Sequence, residues 1–292
     1  MSRVSEVFGE HRGVLFSVAY RMLGSVADAE DAVQDAWLRW SADDRSGVAD
    51  PKAYLIRTVS RLALNRLHSA RARRESYVGP WLPEPLLTSP DVAEDVERAE
   101  SVSLAMLVVL ETLSPAERAV FVLREVFGTP YAEIAATLDC GEAAVRQLAH
   151  RAREHVRERR PRYDTDRRTR EEATRRFLAA CVGGDLGALM RLLAPDVVLH
   201  SDAGGKGKAP RRNVYGADKV ARFFIAVAGR GDVAGLSLRF ADVNGVPGFV
   251  LDSGDAPDGG FVLDVTDGLV TAIWIARNPD KLTGLTGEAR TL

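Results

Sequence analysis

Up to about residue 160, apolar positions recur every three or four residues, the period of amphipathic helices. Val7, Val14, Leu15, Val18 and Met22 give one apolar face to a helix predicted over Val4–Leu23, which Gly24 ends. Ser25 caps a second helix, with Asp28 at the capping-box position. In it Ala29, Val33, Ala36, Trp37 and Trp40 repeat at core spacing, while Asp28, Asp31 and Asp35 fall on another face. Asp50-Pro51 is a cap followed by proline at the first helical position, and it starts a third helix running to about Arg74.

The pattern then breaks. Residues 77–85 hold three prolines in six positions, and Pro90 follows, which predicts an extended linker. An acidic return to helix is expected over Asp91–Glu100, then an apolar helix over Ser101–Leu113. Ser114-Pro115-Ala116-Glu117 combines cap, first-turn proline and capping-box glutamate, and its helix should end near Gly128. Thr129-Pro130 starts a short helix, Asp139-Cys140-Gly141 is a turn, and a last helix runs over Glu142–Arg159 with Val145, Leu148, Ala149, Ala152 and Val156 inward. Two helices about a three-residue turn, the second basic, read as helix-turn-helix.

After the arginine-rich stretch 157–170 the texture changes. One helical pattern over Glu171–Leu193 precedes a short strand, Val197–His200, and a helix over Lys219–Ala228. Strands are expected over Leu236–Val243, Pro247–Asp252, Gly260–Val265 and Leu269–Ala276, with turn signals at Asn244-Gly245, Asp258-Gly259 and Asp267-Gly268. Helices followed by a strand meander make an α+β domain.

Composition adds limits. The 292 residues are 46% hydrophobic and 27% charged, ordinary for a globular chain of two or three domains. No apolar run reaches membrane-spanning length, and Met1–Glu6 has no signal-peptide start, so a cytoplasmic site is expected. Cys140 and Cys181 make neither a disulfide framework nor a zinc site, and are expected to fill apolar spaces. The net charge of −2 hides a net +5 over residues 57–78 beside a net −6 over 79–113, as if for more than one partner surface.

Particular stretches then carry a resemblance. Leu15 to Trp37 is similar to the polymerase-binding helix pair of an extracytoplasmic-function (ECF) sigma factor, and Leu113 to Arg153 to its σ4 domain. Trp81-Leu82-Pro83-Glu84-Pro85, Asp202-Ala203-Gly204-Gly205-Lys206 and Asn278-Pro279-Asp280-Lys281-Leu282 resemble motifs of the ECF group that carries a fused SnoaL-like domain. Ala203 stands where that group has glycine, and Gly141 where a serine cap is expected. The implied fold class is multidomain: two all-α sigma domains, a σ2 bundle and a σ4 helix-turn-helix, plus an α+β SnoaL-like (NTF2-like) cone. Expected limits are 1–76 for σ2, 77–102 for the linker, 103–162 for σ4 and 163–292 for the SnoaL-like domain.

The resemblance also assigns roles. Asp28, Asp31, Gln34 and Asp35 would dock on the clamp helices of the largest subunit of core RNA polymerase, with σ4 on the flap of the second. Unaided, those carboxylates read as a solvated face that complements the helix dipole. Arg57, Arg61, Asn65 and His68 share one helix face and would read the −10 element; Arg61 and Asn65 align best with a pocket for a flipped base. Arg66, Arg71, Arg73 and Arg74 extend that charge, the last three toward phosphates. Arg146, Gln147, His150 and Arg151, with Arg153, would face the −35 element; arginine with guanine and glutamine with adenine are the usual major-groove pairs.

Trp81, Leu82, Pro83, Glu84 and Pro85 are expected to meet the last domain along a seam with Asp202, Gly204, Gly205, Lys206 and Asn278, Pro279, Asp280, Lys281, Leu282. The acidic residues Glu94, Asp95, Glu97 and Glu100 are candidates to mimic nucleic acid. His200, Asp202, Asp264 and Trp274 are candidates to line a pocket, and alternation puts His200 and Asp202 on one face without saying which. No metal or cofactor is expected, and no enzymatic activity. The function implied is a sigma factor regulated in cis, needing no separate anti-sigma factor and no membrane, with a small-molecule ligand left open. Its competitor is a one-component helix-turn-helix regulator with a ligand pocket; a third class is an enzyme with a DNA-binding appendage.

Overall fold

The computed structural model describes residues 3–42, 47–75, 77–89, 102–159, 165–206, 209–230, 235–287 and 289–290. The side chains of His68, Arg71, Arg73 and Arg74, the acidic stretch 90–101, and Gly207-Lys208 lie outside the described residues. The chain forms two compact units. One joins residues 1–76 to 106–160; the other joins 77–105 to 161–290. The proline-rich segment is thus part of the C-terminal unit.

In the first unit, α1 (Arg3–Leu23), α2 (Val26–Ser41) and α3 (Pro51–Glu75) pack as a three-helix bundle. The stop at Gly24 is a left-handed residue (φ 66°) whose N–H bonds Tyr20 O at 2.7 Å. The Ser25 hydroxyl accepts from Asp28 N (3.1 Å), and Asp50 caps Ala53 N (2.9 Å) ahead of Pro51. Leu15, Val18, Met22, Ala29, Val33, Ala36, Leu55, Val59 and Ala63 fill the core. Trp40 is buried and donates to Val4 O (3.0 Å); Trp37 is only half-buried, edge-on to Phe8.

The same unit holds all but the first two residues of α4 (Leu104–Glu111), with α5 (Pro115–Phe121), α6 (Tyr131–Leu138) and α7 (Glu142–Arg159). Both halves of the capping box at Ser114 and Glu117 are formed. A wider π turn over Val122–Val126 closes α5 before Gly128. Asp139 ends α6 in the left-handed region, and α7 lays Val145, Ala149, Ala152 and Val156 on α5 and α6. Cys140 on that turn is exposed, against the expectation that it fills an apolar space, because a three-residue turn has no interior.

In the second unit, α8 (Arg167–Val182), α9 (Leu186–Leu192) and α10 (Ala217–Gly229) cover one face of a six-stranded sheet. Its order is β2-β1-β6-β5-β4-β3, from β1 (Leu193–Asp202), β2 (Val214–Tyr215), β3 (Ser237–Val243), β4 (Val246–Ser253), β5 (Ala256–Thr266) and β6 (Leu269–Ala276). Only β1 and β6 run parallel. The expected single helix over Glu171–Leu193 is two, broken at Gly183-Gly184, where Gly184 has φ 66° and Asp185 caps α9.

Asn244-Gly245 and Asp267-Gly268 are the hairpin turns, each with positive φ at both residues. Asp258-Gly259 is not a turn: it lies inside β5, and Gly254 makes that corner. The glycines of β5 serve close approach instead. A Cβ on Gly259 would sit 2.9 Å from Arg277 Cγ, and one on Gly260 2.8 Å from Leu285 Cδ1.

Candidate functional site

On α2, Asp31 and Gln34 are exposed, and Asp28 and Asp35 half-buried. Asp35 is not a free carboxylate: it pairs with Arg66 of α3 at 2.8 Å. On α3, Arg57, Arg61 and Asn65 are exposed on one line. Arg61 crosses to the end of α6, where Nε donates to Thr137 O (3.0 Å) and Nη2 to Ala136 O. A guanidinium there satisfies the last carbonyls of a helix, which carry its negative dipole end. Arg118 knits the same two parts: it is 1% exposed, its Nε reaches Arg21 O at 3.0 Å, and it pairs with Glu111. Burial holds its guanidinium down at about 9.

On α7, Arg146, Gln147, His150, Arg151 and Arg153 all face outward. Its arginines are braced by acids: Arg146 by Glu142 (3.2 Å), Arg151 by Glu117 (3.0 Å) and Arg153 by Glu125 (3.1 Å). Burial alone would raise Glu117, but hydrogen bonds from Ser114 and Arg151 hold it below its usual range. Tyr131, which the sequence reading did not single out, lies beneath Arg124 and Arg146, 4.6 and 4.5 Å from its ring centre. Its place at the first position of α6 was visible; its stacking was not.

In the C-terminal unit the three glycine- and proline-bearing motifs meet around one carboxylate. Asp202, fully buried at the end of β1, accepts from Tyr77 OH (2.5 Å), Leu82 N (2.9 Å), Gly204 N (3.0 Å) and Lys281 Nζ (2.7 Å). Lys281 Nζ also donates to Leu82 O (2.7 Å) and lies 4.2 Å from the Trp81 ring centre and 4.6 Å from that of Tyr77. Asn278 donates to Tyr77 OH (2.6 Å) and accepts from Asp280 N. Lys206 and Asp280 pair at the surface. Burial and then the Asp202 carboxylate push the Tyr77 phenol up, so it stays a donor.

Gly204 needs its residue type: φ is 57°, and a Cβ would fall 2.5 Å from Asn278 Nδ2. Ala203 is outside the positive-φ set, so alanine there is unstrained. The segment continues along the sheet. Leu86 N bonds Asn244 Oδ1 (3.0 Å), Asn244 N bonds Leu86 O (2.8 Å), and Pro85 sits over Gly260. Leu82, Pro83, Glu84 and Pro85 are all buried in this strap. Tyr77 and Asn244 were missed in the sequence, because their partners are more than a hundred residues away.

The expected pocket group is overturned: none of His200, Asp202, Asp264 and Trp274 lines the apolar recess of this unit. His200 stacks on Trp274 (4.1 Å between centres), and Trp274 Nε1 donates to Asp264 (2.7 Å). By alternation with Leu199, Leu263, Ile273 and Ile275, which join the core with α8–α10, these three face away from the helices. Burial lowers His200 to about 4, against a hydrogen bond with Asn213, and raises Asp264 to about 6, against Trp274 and Arg170. A cavity of about 1000 Å³ among the described residues lies on the other face, lined by α8, α10 and strands β3, β4, β5 and β6.

The Sigma-70 region 2 family matches residues 7–73, and Sigma-70 region 4 matches 103–156. The chain is 43% identical to the ECF RNA polymerase sigma factor SigJ of Mycobacterium tuberculosis, over 96% of this chain and 93% of that one. This protein belongs to the ECF sigma factor family. It is also 35% identical to the probable ECF sigma factor SigI of the same organism, over 98% and 97% of the two chains. The crystal structure of M. tuberculosis SigJ matches with a TM-score of 0.76 at 42% identity, over 97% of this chain and 99% of that one. As an ECF sigma factor the chain directs RNA polymerase to promoters through its region 2 and region 4 domains. Among the described residues no helix is long and apolar enough to cross a membrane.

Proposed function

We propose that α2 is the polymerase-docking helix, α3 the −10 reader and α7 the −35 reader, and that the C-terminal unit controls them in cis without enzymatic turnover. Asp28, Asp31, Gln34 and Asp35 form the docking face; Arg57, Arg61 and Asn65 read the melted strand; Arg146, Gln147, His150, Arg151 and Arg153 face the −35 element. The observation that carries a resting arrangement of the two sigma domains is the engagement of Arg61 by the carbonyls of Ala136 and Thr137. With its guanidinium spent on α6, Arg61 cannot also contact a base. The arrangement described here is therefore the resting one, and initiation requires α3 and α6 to part.

The connection between α3 and α4 starts with the strap, and the strap is tied to Asp202 and Lys281. Any change that loosens the tie changes the length of free chain joining the two sigma domains. The C-terminal unit thus acts by favouring one arrangement over the other through differential contacts. A small molecule held in its cavity can bias the same equilibrium.

Charge reversal tests the docking face. Asp31→Lys with Asp35→Lys is expected to weaken binding to core polymerase at least tenfold while the far-ultraviolet circular dichroism of the folded chain is kept. Unchanged affinity for core would remove α2 from the interface.

A further inference from the structure

We infer that Tyr131 is a positioning residue for base reading: its ring holds the Arg146 guanidinium in the orientation from which α7 reads DNA, so this tyrosine sets sequence preference without itself bonding a base. The inference rests on reading α7 as the −35 reader, and it adds the residue that aims one of its side chains.

Tyr131 is the first residue of α6, directly after Thr129-Pro130. Three guanidiniums converge on it. Arg124 from the π turn and Arg146 from α7 lie 4.6 and 4.5 Å from the ring centre, and Arg153 Nη1 donates to the hydroxyl at 3.4 Å. Cations gather there because the face of an aromatic ring is negative. Two of the three are engaged by the π turn and the residues after it. Arg124 Nη1 donates to Thr129 O (3.1 Å), and Arg153 pairs with Glu125 (3.1 Å). Together they fix the ring in place.

Arg146 differs from both. Its pair with Glu142 is a single contact from Nη2 at 3.2 Å, one turn away on the same helix, with side chains 61% and 48% exposed. Water screens such a pair, so it restrains a long side chain little. A guanidinium has two double-donor edges, and one contact from Nη2 blocks no more than one of them. Stacking on Tyr131 uses the flat face of the guanidinium, whereas a bidentate bond to guanine lies in its plane. The two are compatible. The ring thus orders, before DNA arrives, a side chain that would otherwise be ordered only on binding. Without the ring Arg146 keeps its charge and reaches phosphates, which preserves general affinity and loses preference.

The test is selection of duplex DNA carrying a randomised block by the holoenzyme of the full chain with bacterial core polymerase. Affinities are then measured on the selected sequence and its single-pair variants. Arg146→Ala is expected to flatten the preference at one or two adjacent base pairs. Tyr131→Ala is expected to lower discrimination at those same pairs at least fivefold, with the slope of log affinity against log salt unchanged within about one unit. Tyr131→Phe keeps the ring and should retain the parent's discrimination within about twofold. Tyr131→Leu, apolar but without a ring, repeats the loss should the alanine variant fail to fold. Discrimination kept without the ring, discrimination lost in Tyr131→Phe, or a uniform loss of affinity across all sequences overturns the inference. An Arg146→Ala variant with the parent's preference overturns the reading of α7 itself and the inference with it, so the two failures are distinguishable.

Discussion

Removing the charge of Asp202 strikes the seam at its centre. In Asp202→Asn the Lys281 ammonium keeps Leu82 O and the two rings but loses its counter-ion at 2.7 Å, in a place where the two side chains are 0% and 9% exposed. Breaking a buried pair on one side costs about 3–5 kcal/mol, because a desolvated charge is left behind. The donors Tyr77 OH, Leu82 N and Gly204 N lose a charged acceptor as well. For a unit of this size each kcal/mol moves Tm by about 2–4 °C, so the C-terminal transition should fall by roughly 6–20 °C.

Lys281→Met leaves the opposite charge buried and should cost a similar amount. The double variant buries neither charge, so its loss should be smaller than the two single losses added, by about 2 kcal/mol or more. The assay is denaturant unfolding of the full chain, followed by tryptophan fluorescence, in a double-mutant cycle. Additivity within about 0.5 kcal/mol, or a single loss below about 1 kcal/mol, would refute the seam as an electrostatic lock.

Two further perturbations follow from the same unit. Asp264, whose folded value is about 6 against an ordinary 3.8, lends stability that is full below about 3.8 and lost as pH rises through 6. His200, lowered from 6.5 to about 4, works the other way: its contribution is present above 6.5 and lost as pH falls toward 4. The two oppose each other over pH 4–6, so Asp264→Asn should expose the acid sensitivity due to His200. Between pH 7 and 4 the variant should lose about 2 kcal/mol more than the parent, and parallel stability–pH curves would show that Asp264 is not displaced. Gly204→Ala forces a Cβ into left-handed backbone and against Asn278, and should cost about 1–3 kcal/mol by thermal unfolding; a neutral result would mean that the 203–206 turn rearranges freely.

Local chemistry wrote much of the fold plainly into the chain. Ser114-Pro115-Ala116-Glu117 formed its capping box, Asp50-Pro51 opened α3, and Asn244-Gly245 and Asp267-Gly268 turned their hairpins. Each of those signals acts within four residues. The failures have longer range. Asp258-Gly259 has the composition of a turn, but Gly259 is there to let Arg277, just past the end of β6, approach. Alternation placed His200 and Asp202 on one face and could not say which, since the answer depends on where α8 and α10 pack. The strand β2, two residues long, is too short to show a period.

The candidate site was legible to the same extent. Outward arginines on α7 follow from helical spacing, but their bracing by Glu117 and Glu125 depends on how α7 crosses its neighbours. Arg61 was on the expected face of α3; nothing near it in sequence announces that Ala136 and Thr137 hold it. Resemblance supplied the three motifs of the seam. The pairing that unites them joins residues 79 to 201 positions apart, beyond the reach of any local pattern.

The central claim is that this sigma factor is held in a resting arrangement by its own C-terminal unit. Promoter-dependent transcription by purified bacterial core polymerase tests it most directly, comparing the parent chain with Asp202→Asn/Lys281→Met, the double variant that loosens the seam without burying a lone charge. The account predicts transcripts that require the protein, at a yield that differs at least threefold between the two forms while both bind core equally. Equal yields would contradict cis control through the seam. No transcript from either, with no binding to core, would contradict the assignment of α2, α3 and α7.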